Sequence, residues 1–281
     1  MRTTSLGGGY SGCEILLCEE DDDWCYVKKI SKDISYNSRL RVQSEKQRNF
    51  TGKELLAPKV LSSGFTQEGL YFFDMEYIQG ITLAEYMKTI EIGRIRNCVD
   101  ILFRNIVQPD AERAADTDVF EQKITSVEKL LENRKNPVTN EAFSLLKKHD
   151  WSGFSNSDCH GDLTLENIIV RDHQYYVIDF LDSFYDSWIM DISTLMQDVQ
   201  TMWAYRKEEP DMNTLIRLII FRDLLADRIK NMTGRLYADV YYALLLKLIR
   251  IYPYAQDAET LQFLNQKTRT VMGIIEKAEL E

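Results

Sequence analysis

Acidic and amide side chains are concentrated in a short segment near the middle of the chain. The sequence H-G-D-L-T-L-E-N occupies residues 160–167, and Asp179 follows an apolar run twelve residues after Asn167. Phosphoryl transfer requires a carboxylate beside the attacking hydroxyl, and an amide and a second carboxylate on a divalent metal. Asp162 is therefore predicted to act on a hydroxyl, and Asn167 and Asp179 to bind Mg²⁺, which prefers oxygen ligands. His160 is predicted to order the loop.

Glycines near the N-terminus form a second pattern. Gly7, Gly9 and Gly12 match G-x-G-x-x-G, with Ser11 among them, and they precede two β-rich runs instead of a helix. That order is typical of the loop that covers phosphates in kinases, whereas a Rossmann turn opens a helix. We predict that this loop binds nucleotide phosphates, and an ordinary β-turn is the alternative. Any strand before Gly7 must be short.

The motif at residues 160–167 and the I-D-F sequence around Asp179 resemble the catalytic and metal-binding segments of the aminoglycoside phosphotransferase and choline kinase superfamily. Its members are relatives of protein kinases, which carry H-R-D-x-x-x-x-N and D-F-G. Here Gly161 replaces the arginine and Leu181 the glycine, and both differences favour the small-molecule branch. The resemblance extends from residue 7 to about residue 191. It implies an α+β bilobal protein-kinase-like fold that uses ATP and magnesium to phosphorylate a hydroxyl of a small molecule.

The resemblance also implies a phosphate-anchoring lysine on the third strand, where both Lys28 and Lys29 are candidates. Neighbouring strand residues point to opposite faces, so only one of them can reach the phosphates. The order aromatic, aliphatic, lysine resembles the family pattern, which favours Lys28 and would place Tyr26 near adenine. Lys29 stays open as the alternative. Glu45 in the following helix is predicted to pair with the lysine, and a solvated helix face is its other interpretation.

Two further segments are assigned through the resemblance. Residues 72–80 resemble the linker between the lobes, where backbone groups of residues such as Glu76 and Ile78 would hydrogen-bond adenine. Asp191 resembles the aspartate that braces the catalytic loop. Contacts with the acceptor are expected from two acids, Asp182 and Asp186, and from two aromatic residues, Trp188 and Tyr205. Packing in the core is the alternative role of the two aromatic residues.

Hydrophobic periodicity indicates the elements that must position these residues. Strands are predicted at residues 13–18, 24–31, 59–63 and 70–77, with a mostly polar helix at 38–50. From residue 82 onwards the pattern is helical, apart from short strands at 168–170 and 175–178. Helices are predicted at residues 94–108, 119–132, 141–149, 191–204, 215–231, 235–251 and 258–277. Gly80 marks the boundary, so we predict a nucleotide-binding lobe over 1–78 and a catalytic and substrate-binding lobe over 79–281.

The composition excludes several classes of protein. The 281 residues are 44% hydrophobic and 28% charged, as in folded globular proteins. A net charge of -10 argues against a nucleic-acid partner. No apolar run approaches the roughly 20 residues of a membrane span, and residues 1–6 lack the apolar region of a secretory signal, so we expect a cytoplasmic protein. The 5 cysteines form no C-x-x-C pair and are expected to be reduced thiols.

The acceptor class rests on the family alone. A sugar-type metabolite is preferred because the motif at 160–167 resembles bacterial phosphotransferases associated with surface polysaccharide. Choline or another amino alcohol and aminoglycosides are the alternatives. A protein kinase is disfavoured because no A-P-E segment follows Asp179 and the interval to Asp191 is short. A catalytically silent binding module is disfavoured by the intact Asp162 and Asn167. The sequence leaves the oligomeric state open.

Overall fold

The computed structural model describes residues 2–7, 12–20, 24–108, 117–207, 209–232 and 235–280. The chain forms two compact units. The first contains Met1–Tyr86 and Glu166–Asp182, and the second contains Met87–Leu165 and Ser183–Glu281. The predicted division was continuous, with a boundary after residue 78. The structure differs because a later segment, Glu166–Asp182, pairs with strands of the N-terminal part.

An antiparallel sheet forms most of the first unit. Within the described residues its order is β1-β2-β3-β6-β5. These strands are β1 (Arg2–Ser5), β2 (Glu14–Glu19), β3 (Cys25–Ile30), β5 (Val60–Phe65) and β6 (Tyr71–Glu76). Four of them match predicted strands to within a few residues, and β1 is short as the sequence required.

Alternation along β3 and β6 decides which side chains enter the core of the first unit. The register pairs Val27 with Met75 and Lys29 with Phe73. Val27, Phe73 and Met75 are buried together with Leu40 of α1 (Asn37–Asn49). The same face of the sheet therefore carries the core and Lys29, because strand residues two apart share a face.

A smaller sheet completes the first unit. It combines β4 (Leu55–Leu56), β7 (Ile81–Thr82), β8 (Ile168–Arg171) and β9 (Gln174–Val177) in the order β4-β9-β8-β7 within the described residues. The β8–β9 hairpin turns at Asp172 and His173, which both have positive φ. Two consecutive residues with positive φ are typical of a type I′ turn, whose twist matches that of the strands. This hairpin brings residues 166–182 into the first unit.

Three contacts attach the end of this segment to α1. The Lys46 Nζ donates to the Leu181 carbonyl oxygen at 3.0 Å. The rings of Phe50, which follows α1, and Phe180 meet edge to face with centroids 5.5 Å apart. Arg39 forms an ion pair with Asp182. Three consecutive residues after Asp179 are thus held by one helix and its C-terminal cap.

Helices form most of the second unit. Its described helices lie close to the predicted ranges: α3 (Ile92–Ile106), α4 (Asp118–Leu130), α5 (Pro137–Lys148), α6 (Trp188–Thr201), α7 (Met212–Lys230), α8 (Leu236–Ile251) and α9 (Ala258–Ala278), after the short α2 (Leu83–Tyr86) of the first unit. Nearly every residue of α6 and α8 is buried, and α8 packs against α5, α6 and α9. A helix that is apolar all round belongs in a core. Among the described residues, no helix has the length and hydrophobicity to cross a bilayer.

Candidate functional site

A cavity of about 340 Å³ lies in the first unit. Its size falls in the range of small-molecule sites, which combine apolar walls with a few polar groups. The apolar lining includes Ile15, Val27, Met75, Ile169 and Ile178. The polar side chains among the lining residues include Lys29, Gln43, Gln47, Asn167 and Asp179. This composition suits a ligand with a flat apolar part and a charged part.

Lys29 is the buried cation of the cavity. It shares the inner face of β3 with Val27, and only 3% of the residue is exposed. Its Nζ forms an ion pair with the Asp179 carboxylate. Burying a charge is costly unless an opposite charge compensates it, and Asp179 supplies that opposite charge to the buried Lys29.

Lys28 points to the other face of β3, so the preferred lysine was wrong by one residue. Its Nζ lies 2.6 Å from Asp74 Oδ1 and 3.7 Å from the centroid of the Phe72 ring. Tyr26 shares that outer face, and Val27 takes the cavity position predicted for Tyr26. The order of residue types could not decide the register, because a shift of one residue exchanges the two faces of a strand.

Glu45 is not the partner of the lysine. Its carboxylate pairs with Arg41 at 3.0 Å on the exposed side of α1. The helix instead presents Gln43 and Gln47 to the cavity, and the Gln47 Nε2 donates to the Pro58 carbonyl oxygen at 2.8 Å. Residues four apart share a helix face, whereas Glu45 is rotated away from both glutamines. That spacing is the sequence signal that would have found Gln43 and Gln47.

Asp179 is held in a strained conformation. Its φ is 62°, in the left-handed region that non-glycine residues seldom adopt. The preceding residue, Ile178, donates its N–H to the Asn167 carbonyl oxygen at 3.0 Å. An amide and a carboxylate that both line one cavity offer the oxygen donors that a hard divalent cation prefers. The residues present therefore fit a metal site, and strain of this kind is common at functional sites.

Parts of the predicted glycine loop and of the predicted linker line the cavity. Gly7 lines the cavity with a φ of 82°, and Gly12 has a φ of 72°. Gly9 and Ser11 lie outside the described residues. Glu76 and Ile78 both line the cavity, but the Glu76 N–H already donates to the Lys59 carbonyl oxygen at 3.0 Å. A ligand would therefore use other backbone groups of this linker.

The loop that carries Asp162 belongs to the second unit and is held by a buried carboxylate. Asp191, in the first turn of α6, accepts the His160 N–H at 2.6 Å and the Gly161 N–H at 2.9 Å. Gly161 has a φ of 94°, which a side chain would strain. This conformation explains why glycine occupies a position that is arginine in protein kinases. The Asp162 N–H donates to the His160 Nδ1 at 3.3 Å, so the imidazole orders the loop.

A second carboxylate of α6 holds the end of the same loop. The fully buried Asp198 accepts the Leu165 N–H at 2.6 Å. It lies seven residues after Asp191, which is two helical turns on the same face. Asp198 was not predicted from the sequence, and its signal is an acidic residue within a helix that is otherwise buried and largely apolar. Two aspartates of one helix thus fix both ends of the loop.

The predicted acceptor residues have separate environments. Asp182 belongs to the first unit, where Arg39 donates to both of its oxygens at 2.8 and 3.0 Å. Burial alone would raise the pKa of Asp182, but hydrogen bonds from Arg39 and Gln43 lower it overall. In the second unit, the Asp186 carboxylate lies 3.3 Å from the Cys159 Sγ. Trp188 and Tyr205 are buried, in agreement with core packing.

Comparison with solved structures identifies the fold. A thermostable mutant of aminoglycoside phosphotransferase APH(4)-Ia in its apo form aligns with a TM-score of 0.63 and 13% identity, over 96% of this chain and 94% of that chain. The amicoumacin kinase hAmiN, in complex with AMP-PNP, Ca²⁺ and Ami, aligns at 0.57 and 16%, over 96% and 87%. A putative fructosamine-3-kinase from Thermobifida fusca YX-ER1 aligns at 0.60 and 13%, over 97% and 93%. At these identities the likeness shows the fold.

Comparison with protein families identifies the class of enzyme. No curated protein matches the chain. The model of the phosphotransferase enzyme family matches residues 38–212, which is more than half of the chain. The match confirms the predicted resemblance, the kinase-like fold and the prediction of an ATP-dependent phosphotransferase that acts on small molecules. The chain belongs to the phosphotransferase enzyme family.

Proposed function

We propose that the chain transfers the γ-phosphate of ATP to a hydroxyl of a sugar-type small molecule. The observation that carries this proposal is the ion pair between Lys29 and Asp179 inside the cavity of the first unit. A lysine that can contact phosphates and a carboxylate that can hold a divalent cation are the two charged parts that a kinase needs around its nucleotide. The first unit would then be the nucleotide-binding lobe and the second the catalytic lobe.

Different residues of the cavity would bind the adenine, the phosphates and the metal. Adenine would lie against Val27, Met75 and Ile169, because a planar base is well suited to apolar walls. Lys29 would donate to phosphate oxygens. Asn167 and Asp179 would hold the divalent metal, which when bound neutralises charge on the phosphates.

The loop of the second unit would act on the acceptor. Asp162 would accept the proton of the attacking hydroxyl, as a general base must do within hydrogen-bond reach. Asp191 and Asp198 would hold the loop in place before the acceptor binds, and His160 would fix the residue at its centre. Fixed geometry lowers the barrier because fewer groups must reorganise during the reaction.

Among acceptors, a sugar-type compound remains the preferred class. It is supported by the likeness of the fold to a putative fructosamine-3-kinase. Choline, other amino alcohols and aminoglycosides are cations that would need acidic partners, and Asp182 already binds Arg39. A protein kinase is disfavoured by the short interval between Asp179 and Asp191. A silent nucleotide-binding module is disfavoured by the intact Asp162, Asn167 and Asp179.

A screen for acceptor-stimulated ADP release tests the proposal. The panel contains sugars, sugar acids, sugar phosphates, amino alcohols, aminoglycosides and casein, each with Mg·ATP. We expect release with at least one sugar-type compound, and loss of that release in Asp162→Asn, which should still bind nucleotide. Turnover with casein alone would favour a protein kinase, whereas nucleotide binding without any turnover would favour a silent module.

A further inference from the structure

Two basic side chains of the second unit lie beside one aromatic ring, and a third shares a helix face with one of them. The Lys123 Nζ of α4 and the Arg250 Cζ of α8 lie 5.6 and 5.2 Å from the centroid of the Phe184 ring. Lys247 precedes Arg250 by three residues on α8, so both side chains share one face of that helix. We call Lys123, Lys247 and Arg250 the basic cluster.

Lys247 is buried and the other two side chains of the basic cluster are partly buried, which costs free energy. Lys247 is 8% exposed. Burial is the main cause that lowers the pKa of all three groups, and the charge of Arg250 lowers the pKa of both lysines further. Arginine nevertheless stays charged in proteins. Among the described residues, no carboxylate lies within ion-pair distance of these three cations. Buried charges are normally paired, so the cluster suits an anion.

Two members of the cluster also lie within electrostatic range of the predicted catalytic base. The Asp162 carboxylate acts to raise the pKa of both Lys247 and Arg250, and that of Asp191 does so for Lys247. Both Asp191 oxygens already accept backbone N–H groups. Asp162 and Asp191 therefore offset only part of the positive charge of the cluster, and the offset would shrink if Asp162 took up a proton.

We propose that the acceptor carries an anionic group, a carboxylate or a phosphate, which binds Lys123, Lys247 and Arg250 while its hydroxyl lies at Asp162. The acceptor is then a sugar acid or a sugar phosphate, and cationic acceptors are excluded by repulsion. This assignment rests on the proposed function, because it needs Asp162 to act on a hydroxyl.

Acceptors that differ only in the anionic group provide the test. D-glucose is compared with D-gluconate and D-glucuronate, which carry a carboxylate, and with D-glucose 6-phosphate, by steady-state ADP release from the full chain. We expect kcat/KM to be at least about tenfold higher for one of the anionic compounds, the size of one charge-assisted hydrogen bond. The preferred compound identifies the group as carboxylate or phosphate.

Substitution of the cluster separates recognition of the acceptor from stabilisation of the transferred phosphate. In Arg250→Gln and Lys123→Gln, the KM of the anionic acceptor should rise about 10- to 100-fold relative to the KM of the neutral sugar measured with the same variant. Lys129→Gln removes an exposed cation of α4 and should behave as the parent. Thermal unfolding of each variant verifies that it is folded.

Other results have distinct meanings. Equal loss of kcat for neutral and anionic sugars in Arg250→Gln would assign the cluster to the transferred phosphate and overturn the inference. Preferred turnover of neutral sugars, unchanged in both variants, would also overturn it but leave the proposed function intact. Mg·ATP binding without turnover on any compound would reject the proposed function, and the anionic acceptor with it.

Discussion

Charged side chains have different partners in the cavity of the first unit and at the Asp162 loop of the second unit. In the first unit, Lys29 and Asp179 balance each other, and the remaining polar groups of the cavity are largely neutral amides such as Gln43. In the second unit, the carboxylates of Asp191 and Asp198 accept backbone N–H groups. In the first unit an ion pair lines a cavity, whereas in the second unit carboxylates hold the backbone of a loop.

Removing the proposed base should produce the largest effect and should be confined to catalysis. In Asp162→Asn, kcat should fall about 10²- to 10⁴-fold, the usual contribution of a general base, while the Kd of Mg·ATP stays the same. Single-turnover kinetics and calorimetry measure the two quantities. Parental turnover would remove Asp162 from the mechanism.

Removal of Lys29 should weaken nucleotide binding in the cavity of the first unit. Lys29→Ala removes the partner of Asp179 and the proposed phosphate contact, so Mg·ATP affinity should fall about 10- to 100-fold, the size of one charge-assisted hydrogen bond. Lys28→Ala is the matched control, since Asp74 lies on the outer face of the sheet. Titration calorimetry measures the Mg·ATP affinity of both variants. A larger loss of affinity in Lys28→Ala than in Lys29→Ala would contradict the assignment of Lys29 to the cavity.

Loss of a loop-shaping carboxylate should affect turnover and stability without affecting the nucleotide. Asp198→Asn weakens the bond to the Leu165 N–H, a charge-assisted hydrogen bond whose loss costs about 1.5–3 kcal/mol. We expect a lower midpoint of denaturant unfolding and a reduced kcat. A normal kcat in a destabilised variant would make Asp198 purely structural.

Gly161→Ala tests the backbone of the same loop. An alanine at a φ of 94° costs about 1–3 kcal/mol, and the loop can relieve this strain by releasing Asp191. The free energy of unfolding should fall by that amount, with Mg·ATP affinity preserved. Equal stability of the two proteins would show that the loop tolerates a side chain at this position.

The smallest effect is expected on the exposed side of α1. Glu45→Ala breaks only the surface pair with Arg41, so stability should change by less than about 0.5 kcal/mol and ATP affinity should not change. Gln47→Ala is the contrasting variant, because it removes the bond to the buried Pro58 carbonyl oxygen. If Glu45→Ala weakened ATP binding more than Gln47→Ala, the assignment of the inner face would be wrong.

The local pattern of hydrophobic residues was enough to predict most strands and helices, because a strand repeats every 2 residues and a helix every 3.6. Patterns could not decide between Lys28 and Lys29, because a polar residue on either face is consistent with a short strand. Gln43 and Gln47 were missed because polar residues in a helix are usually solvated. The entry of residues 166–182 into the first unit depends on pairing between distant strands, such as Leu55 with Tyr175, which no local window contains.

The attachment of residues 180–182 to α1 has a consequence for control of the enzyme. In protein kinases, the segment after the metal-binding aspartate is ordered by phosphorylation, and activity also depends on the position of the neighbouring helix. Here Phe180, Leu181 and Asp182 already contact Phe50, Lys46 and Arg39, respectively. The segment that is a switch in protein kinases is therefore already in contact with α1 and its C-terminal cap, without a modification. We expect the enzyme to be constitutively active, so that the cell sets its output through the amount of protein and the supply of acceptor.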